Sequence, residues 1–214
     1  MKTRDKIVHA ALELFNSDGE RNVTTNHIAA YIEISPGNLY YHFSNKQEIV
    51  RDIFTLYSQE LIERFTPVQG QQESLALLKH YLNSIFTLMW KYRFFYANLP
   101  EILQRDEKLH EEYIVVQERL QGNLVNILRA FVDFELLCLN EKELKSMVMT
   151  LHMMAVGWLS YQSAMSPKTK ITEEVIQQGM LHMINVVKPV ATPKGQEQLA
   201  LLEDGVKMMG GAIN

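Results

Sequence analysis

At 214 residues with 47% hydrophobic side chains, the chain can bury a sizeable core and is too apolar for general disorder. A net charge of −4 excludes a general coat for nucleic acid, and a single cysteine, Cys138, excludes an internal disulfide framework and suits a reducing compartment. No run is long and apolar enough to span a bilayer, and Glu13 interrupts the one early apolar run, so the expectation is a cytoplasmic chain without a signal peptide.

From Thr3 to Ser17, Ile7, Ala10, Ala11, Leu14 and Phe15 recur at the spacing of one helical face, and Gly19 is placed to end that helix. Lys2, Arg4 and Lys6 crowd its start, as phosphate contacts or as a solvated basic end. A threonine, most simply Thr25, caps a second short helix carrying Ile28, Ala29 and Ile32. Only Glu33 and Ile34 separate it from Ser35, which forces a sharp turn. Ser35 is a good N-cap, and Pro36 follows where its missing N–H costs nothing. In this third helix Leu39 and Phe43 share one apolar face, leaving Asn38, Tyr40, Tyr41 and His42 on the others. Two short helices joined by a tight turn, with another packed behind, form a helix-turn-helix of the DNA-binding kind.

Ser44 or Asn45 caps the next helix, which runs from Lys46 to about Phe65 and is the one continuous link between the head and the rest. After a break at Pro67 to Gly70, helical patterns cover about 73–91, 94–104, 107–134, 141–165 and 173–187. Pro100 is placed to kink or split the second of these, and Pro167 with Lys168 to Lys170 forms a loop. Past Pro193, Leu199, Leu202, Val206 and Met209 mark one more short helix, and no alternating strand pattern is present.

The first fifty residues resemble the TetR family of bacterial one-component transcriptional regulators. The resemblance rests on Thr24-Thr25, Ile28-Ala29, Ile34-Ser35, and above all Leu39-Tyr40-Tyr41-His42-Phe43 followed by Asn45-Lys46. It implies an all-α fold: a three-helix DNA-binding domain over 1–47, an effector-binding and dimerisation domain over 48–190, and a C-terminal extension over 191–214. It also implies a homodimeric repressor of a double-stranded DNA operator, released by a small-molecule effector, without cofactor or membrane attachment.

By position, the resemblance assigns Thr25 and Asn26 to phosphate contact at the start of the motif. Ser35, Pro36, Gly37 and Asn38 fall at the turn that enters the major groove, where Asn38 can pair with adenine. Tyr40, Tyr41 and His42 match positions that hold phosphates or touch bases, and Lys46 matches a phosphate clamp assisted by its helix N-terminus. One departure is Glu33, where the family favours glycine at positive φ, at a cost of about 1 kcal/mol. The head carries six cations against six acids over residues 1–51, so its affinity cannot rest on a basic surface. That neutrality and Glu33 motivate a second reading, an effector-binding protein whose helix-turn-helix contacts protein and no longer binds DNA.

Phe86, Met89, Trp90, Phe94, Tyr113, Met147, Met154 and Trp158 are candidates to line an apolar effector cavity between helices, although plain core packing accounts for any one of them. A greasy wall suits an apolar or amphipathic effector. His152 and His182 lack metal-ligand spacing and read as buried or interface histidines. Their helices, with Met147, Leu151, Met154, Val156, Leu159, Met180, Met183 and Ile184, carry more apolar surface than one core needs, and Gly157 and Ala164 permit a partner helix to approach. No catalytic residues are assigned: there is no phosphate-binding glycine loop or nucleophile elbow, and Cys138 has apolar neighbours that suit an inert thiol.

Overall fold

Ten α-helices follow one another in a computed structural model that describes residues 2–68, 73–166 and 169–209. They are α1 (Thr3–Asp18), α2 (Thr25–Tyr31), α3 (Pro36–His42), α4 (Lys46–Arg64), α5 (Ser74–Lys91), α6 (Arg93–Gln104), α7 (Glu107–Asp133), α8 (Glu141–Met165), α9 (Glu173–Val187) and α10 (Pro193–Met209). Among the described residues no strand forms, and a single antiparallel bridge joins Leu137 to Ala191. Gln69, Gly70, Pro167, Lys168 and the Gly-Gly tail lie outside the described residues.

The helices start where side-chain caps allow. Thr24, and not Thr25, caps α2: its hydroxyl accepts the His27 N–H at 3.2 Å, and its own N–H donates to His27 Nδ1. Ser35 accepts from the Asn38 N–H at 3.2 Å, Asn45 from Glu48 at 3.0 Å, and Asp106 from Leu109 at 3.1 Å. The end of α2 is a Schellman turn. Ile34 N–H donates to Ala29 O, Glu33 N–H donates to Ala30 O, and Glu33 takes the left-handed φ of 56° that the motif requires. The same closure ends α7, with Glu135 at φ 58° and Leu136 N–H donating to Phe131 O. The break in α6 falls at Asn98, two residues before Pro100, and Asn98 Nδ2 donates to the Phe94 carbonyl at 2.8 Å.

Helix α1 packs on α4, α2 on α1 and α3 on α2, with Ile7, Phe15, Ile28, Leu39, Phe43 and Ile49 sealed from solvent. The second half of α4 enters the larger bundle of α5 to α10, and one continuous apolar cluster runs from Ile7 to Val206. The two halves are therefore joined by packing as well as by chain. α10 is a 17-residue helix whose Leu199, Leu202 and Val206 are buried against α5 and α9, so the described part of the C-terminal extension is an integral wall of the bundle.

Candidate functional site

The reading face of α3 is built from inside outward. Leu39 and Phe43 anchor it, and Ser35, Pro36, Gly37, Asn38, Tyr40 and Tyr41 are left exposed, Tyr41 at 84%. Tyr40 OH lies 3.0 Å from Thr25 Oγ1, which ties the faces of α2 and α3, while Asn26 is open to solvent beside it. His42 is half-buried, with its ring against the edge of Tyr41, and its carbonyl accepts from Arg4 Nη1 at 2.7 Å.

Arg4 is committed to the fold. It also donates to both carboxylate oxygens of Asp52 and covers the Phe43 ring at 4.1 Å, so it pins α1, α3 and α4 together.

Lys46 departs from the phosphate clamp expected of it. Its ammonium is turned inward, donating to the carbonyls of Glu20 and Val23 at 2.7 and 3.1 Å and pairing with the Glu20 carboxylate at 2.9 Å. The cause is Glu20, a carboxylate only 4% exposed, which has to be paired. Burial raises its carboxyl pKa, but hydrogen bonds from Arg105 and Lys46 outweigh burial and hold it below the usual value. Arg21, which pairs with Glu101, and Arg51, which pairs with Asp106, are engaged with α6 and α7 as well. Lys2 and Lys6 are the head's cations with no carboxylate partner among the described residues.

A second feature is a cavity of about 190 Å³ in the bundle. Its wall takes Tyr57 and Leu61 from α4, Tyr81 and Met89 from α5, Tyr96 from α6, Leu124 and Phe131 from α7, Leu151 and His152 from α8, Met183 from α9, and Leu199 and Leu202 from α10. Of the eight cavity residues expected from sequence, only Met89 is among them. Phe94 and Tyr113 instead join the aromatic seam between head and bundle, Phe94 against Phe15 at 5.3 Å and Tyr113 against Phe54 at 6.3 Å. Trp90 is covered by Arg93, Trp158 donates to Val175 O at 2.6 Å, and Phe86, Met147 and Met154 are half-buried on the bundle's flanks. The aromatic and methionine composition signalled an apolar interior but did not say which helical face turns inward. The signal available for the actual wall was the leucine spacing of α5 and α7 together with Tyr57.

The cavity's wall reaches the reading element through one helix. Asn45 and Lys46 begin α4 beside α3, and Tyr57 and Leu61 of the same helix line the cavity. Arg105 donates to Glu20 at 2.8 Å and Arg51 to Asp106 at 2.7 Å, so the α6–α7 corner also grips the head.

The description "Bacterial regulatory proteins, tetR family" matches residues 7–53, and "Bacterial transcriptional repressor", the TetR C-terminal domain, matches residues 56–199. The chain belongs to the TetR family. A TetR-family transcriptional regulator from Marinobacter aquaeolei VT8 is 33% identical, with a TM-score of 0.85 over 96% of this chain and 99% of that one. The transcriptional regulator QacR of Staphylococcus aureus is 27% identical over 136 residues, 58% of this chain and 72% of QacR. UidR of Escherichia coli K12 is 32% identical over 85 residues, 36% of this chain and 43% of UidR. This TetR-family member is thus a helix-turn-helix regulator of transcription that binds DNA, of a family whose regulators dimerise and bind small-molecule effectors.

The unpartnered apolar surface of this TetR-family regulator differs from the one expected. Leu159, Met180, Met183 and Ile184 are buried within the subunit, whereas Met149, Met153, Tyr161 and Met165 form an exposed stripe on α8, with open space over Gly157 and Ala164 also exposed. α9 packs too closely on α8 to spare that surface: a Cβ on Gly179 would meet the Trp158 ring at 2.6 Å. His182 lies exposed beside Trp158 at 5.1 Å, and Cys138 is exposed, not enclosed by its apolar neighbours. Among the described residues no three His, Cys, Asp or Glu side chains gather as metal ligands, and no helix is long and apolar enough to cross a membrane.

Proposed function

We propose that the protein is a homodimeric repressor in which α3 of each subunit enters the major groove of one operator half-site. A small apolar effector in the cavity then releases the operator. The observation that carries this reading is the double duty of α4: Lys46 holds the head through Glu20, and Tyr57 and Leu61 face the cavity. An effector that fits better when α4 and the α6–α7 corner shift favours the arrangement in which the two recognition helices no longer match half-sites about 34–36 Å apart. Regulators of this family dimerise, and here the α8 stripe from Met149 to Met165 is the surface that a second copy covers.

At the DNA, Asn38, Tyr40 and Tyr41 supply the contacts, with Thr25 orienting Tyr40 and the N-termini of α2 and α4 facing phosphates. Electrostatic attraction comes from Lys2 and Lys6 at the start of α1, since Arg4, Arg21, Lys46 and Arg51 are occupied within the fold.

Selection of bound genomic fragments followed by gel shift gives the test. The reading requires a salt-sensitive, sequence-selective complex that an apolar ligand weakens. An operator affinity unchanged when the cavity is saturated rules out the release mechanism, and no selective complex at any salt concentration rules out the DNA-binding role.

A further inference from the structure

The cavity has an uneven chemistry. Its wall is aliphatic and aromatic, without a charged side chain among the described residues, and the polar side chains in it are Tyr57, Tyr81, Tyr96 and His152. Three of these are already partnered. Tyr57 and Tyr96 hydroxyls bond each other at 3.1 Å, and the Tyr81 phenol meets the backbone of Val68. His152 is not: its Nε2 is buried with no hydrogen-bond partner. An unanswered buried nitrogen is costly, and in a ligand site it marks where a ligand's polar group belongs.

The uncharged wall decides what that group is. An ammonium ligand would find no carboxylate, and a carboxylate ligand would find no cation, because burial lowers the His152 pKa and keeps the imidazole neutral near pH 7. Nε2 of a neutral imidazole is either donor or acceptor depending on the tautomer, and a hydroxyl can answer both. Size narrows the class further. An apolar cavity of about 150 Å³ admits benzene, so about 190 Å³ admits a compact molecule not much larger.

Building on the effector-cavity reading, we infer that the effector is a compact, uncharged apolar molecule bearing a hydroxyl group, an alcohol or a phenol, and that His152 Nε2 is its hydrogen-bond partner. His152 is then the specificity-determining residue of a site otherwise selective only for shape and greasiness.

The test uses the whole 214-residue chain and three aromatic probes: 4-ethylphenol, its methyl isostere 4-ethyltoluene, and the slightly larger anion 4-ethylbenzoate. Binding is followed by calorimetry to wild type, His152→Leu and His152→Gln. The expected result is about tenfold tighter binding of 4-ethylphenol than of 4-ethyltoluene to wild type, with no saturable binding of 4-ethylbenzoate. His152→Leu should lose the preference while still binding 4-ethyltoluene, and His152→Gln should restore part of it. Equal affinity of wild type for phenol and toluene, persistence of the preference in His152→Leu, or tight benzoate binding overturns the assignment of His152 and leaves the apolar cavity standing. Failure of all three probes to bind wild type overturns both the assignment and the cavity reading beneath it.

Discussion

Two neighbouring positions with similar expected roles separate in the structure. Asn38 is exposed on the reading face, whereas Lys46 is the inward partner of Glu20. Asn38→Ala should therefore lower operator affinity by about 1–3 kcal/mol and relax preference at one base pair, with the melting temperature unchanged. Lys46→Met should cost about 2 kcal/mol of stability, because it removes charge-assisted bonds from a buried carboxylate. Chemical unfolding alongside operator titration distinguishes them; a Lys46→Met protein of wild-type stability would return Lys46 to the phosphate-clamp role.

The same carboxylate sets an acid limit. Glu20 lies below its ordinary value of 4.5 and Asp106 below 3.8: burial raises each, but hydrogen bonds from Arg105 and Lys46 to the first, and from Arg51 and the Leu109 N–H to the second, outweigh burial and lower it. With folded pKa depressed, the unfolded chain binds more protons in acid, so this stability is complete above about pH 5 and is lost as pH falls through the folded values. Urea midpoints should drop steeply below about pH 4.5, and Glu20→Gln should flatten that slope; an unaltered slope would show that Glu20 is not one of the titrating groups.

At the scale of the elements, α1, α3, α4 and the long helices of the bundle were legible because caps and apolar spacing are local signals. Ser35-Pro36 and the Leu39–Phe43 pair define α3 without help from distant residues. The sharp turn at Glu33 was readable because only two residues separate two helices, and its positive φ was implied by the resemblance to a family that favours glycine there. What could not be read was rotation. Whether Trp158 or His152 faces the cavity depends on how α8 is turned against α9, and that is decided by the fit of Gly179 beneath the Trp158 ring, a contact 21 residues away in sequence. The same rotation leaves the Met149 to Met165 stripe outward. Met153→Glu, 60% exposed in the subunit, should convert a dimer into a folded monomer in analytical ultracentrifugation and abolish operator binding at low protein concentration. A variant that stays dimeric would place the subunit contact elsewhere.

For the whole molecule, head and bundle share a core and are riveted at the rim. The rivets are Arg105 to Glu20 and Arg51 to Asp106, and both lie at the α6–α7 corner just after the Asn98 break. Removing one should weaken the transmission between sites more than it weakens either site. Arg51→Met is expected to bind operator and apolar ligand near wild-type strength while the ligand's effect on operator affinity shrinks several-fold. Coupling measured as operator affinity with and without saturating ligand decides the matter; full coupling in Arg51→Met would show that the Arg51–Asp106 rivet carries none of it.

The last helix has an evolutionary consequence. α10 gives Leu199 and Leu202 to the cavity wall, yet its principal neighbours are α5, α9 and the 188–190 segment, away from both α3 and the outward stripe of α8. On the proposed effector role of the cavity, mutations in α10 would redraw what the protein senses without disturbing what it reads or with whom it pairs. A lineage could change inducers by altering the 17 residues of α10, and the same graft is open to anyone building a sensor from this scaffold.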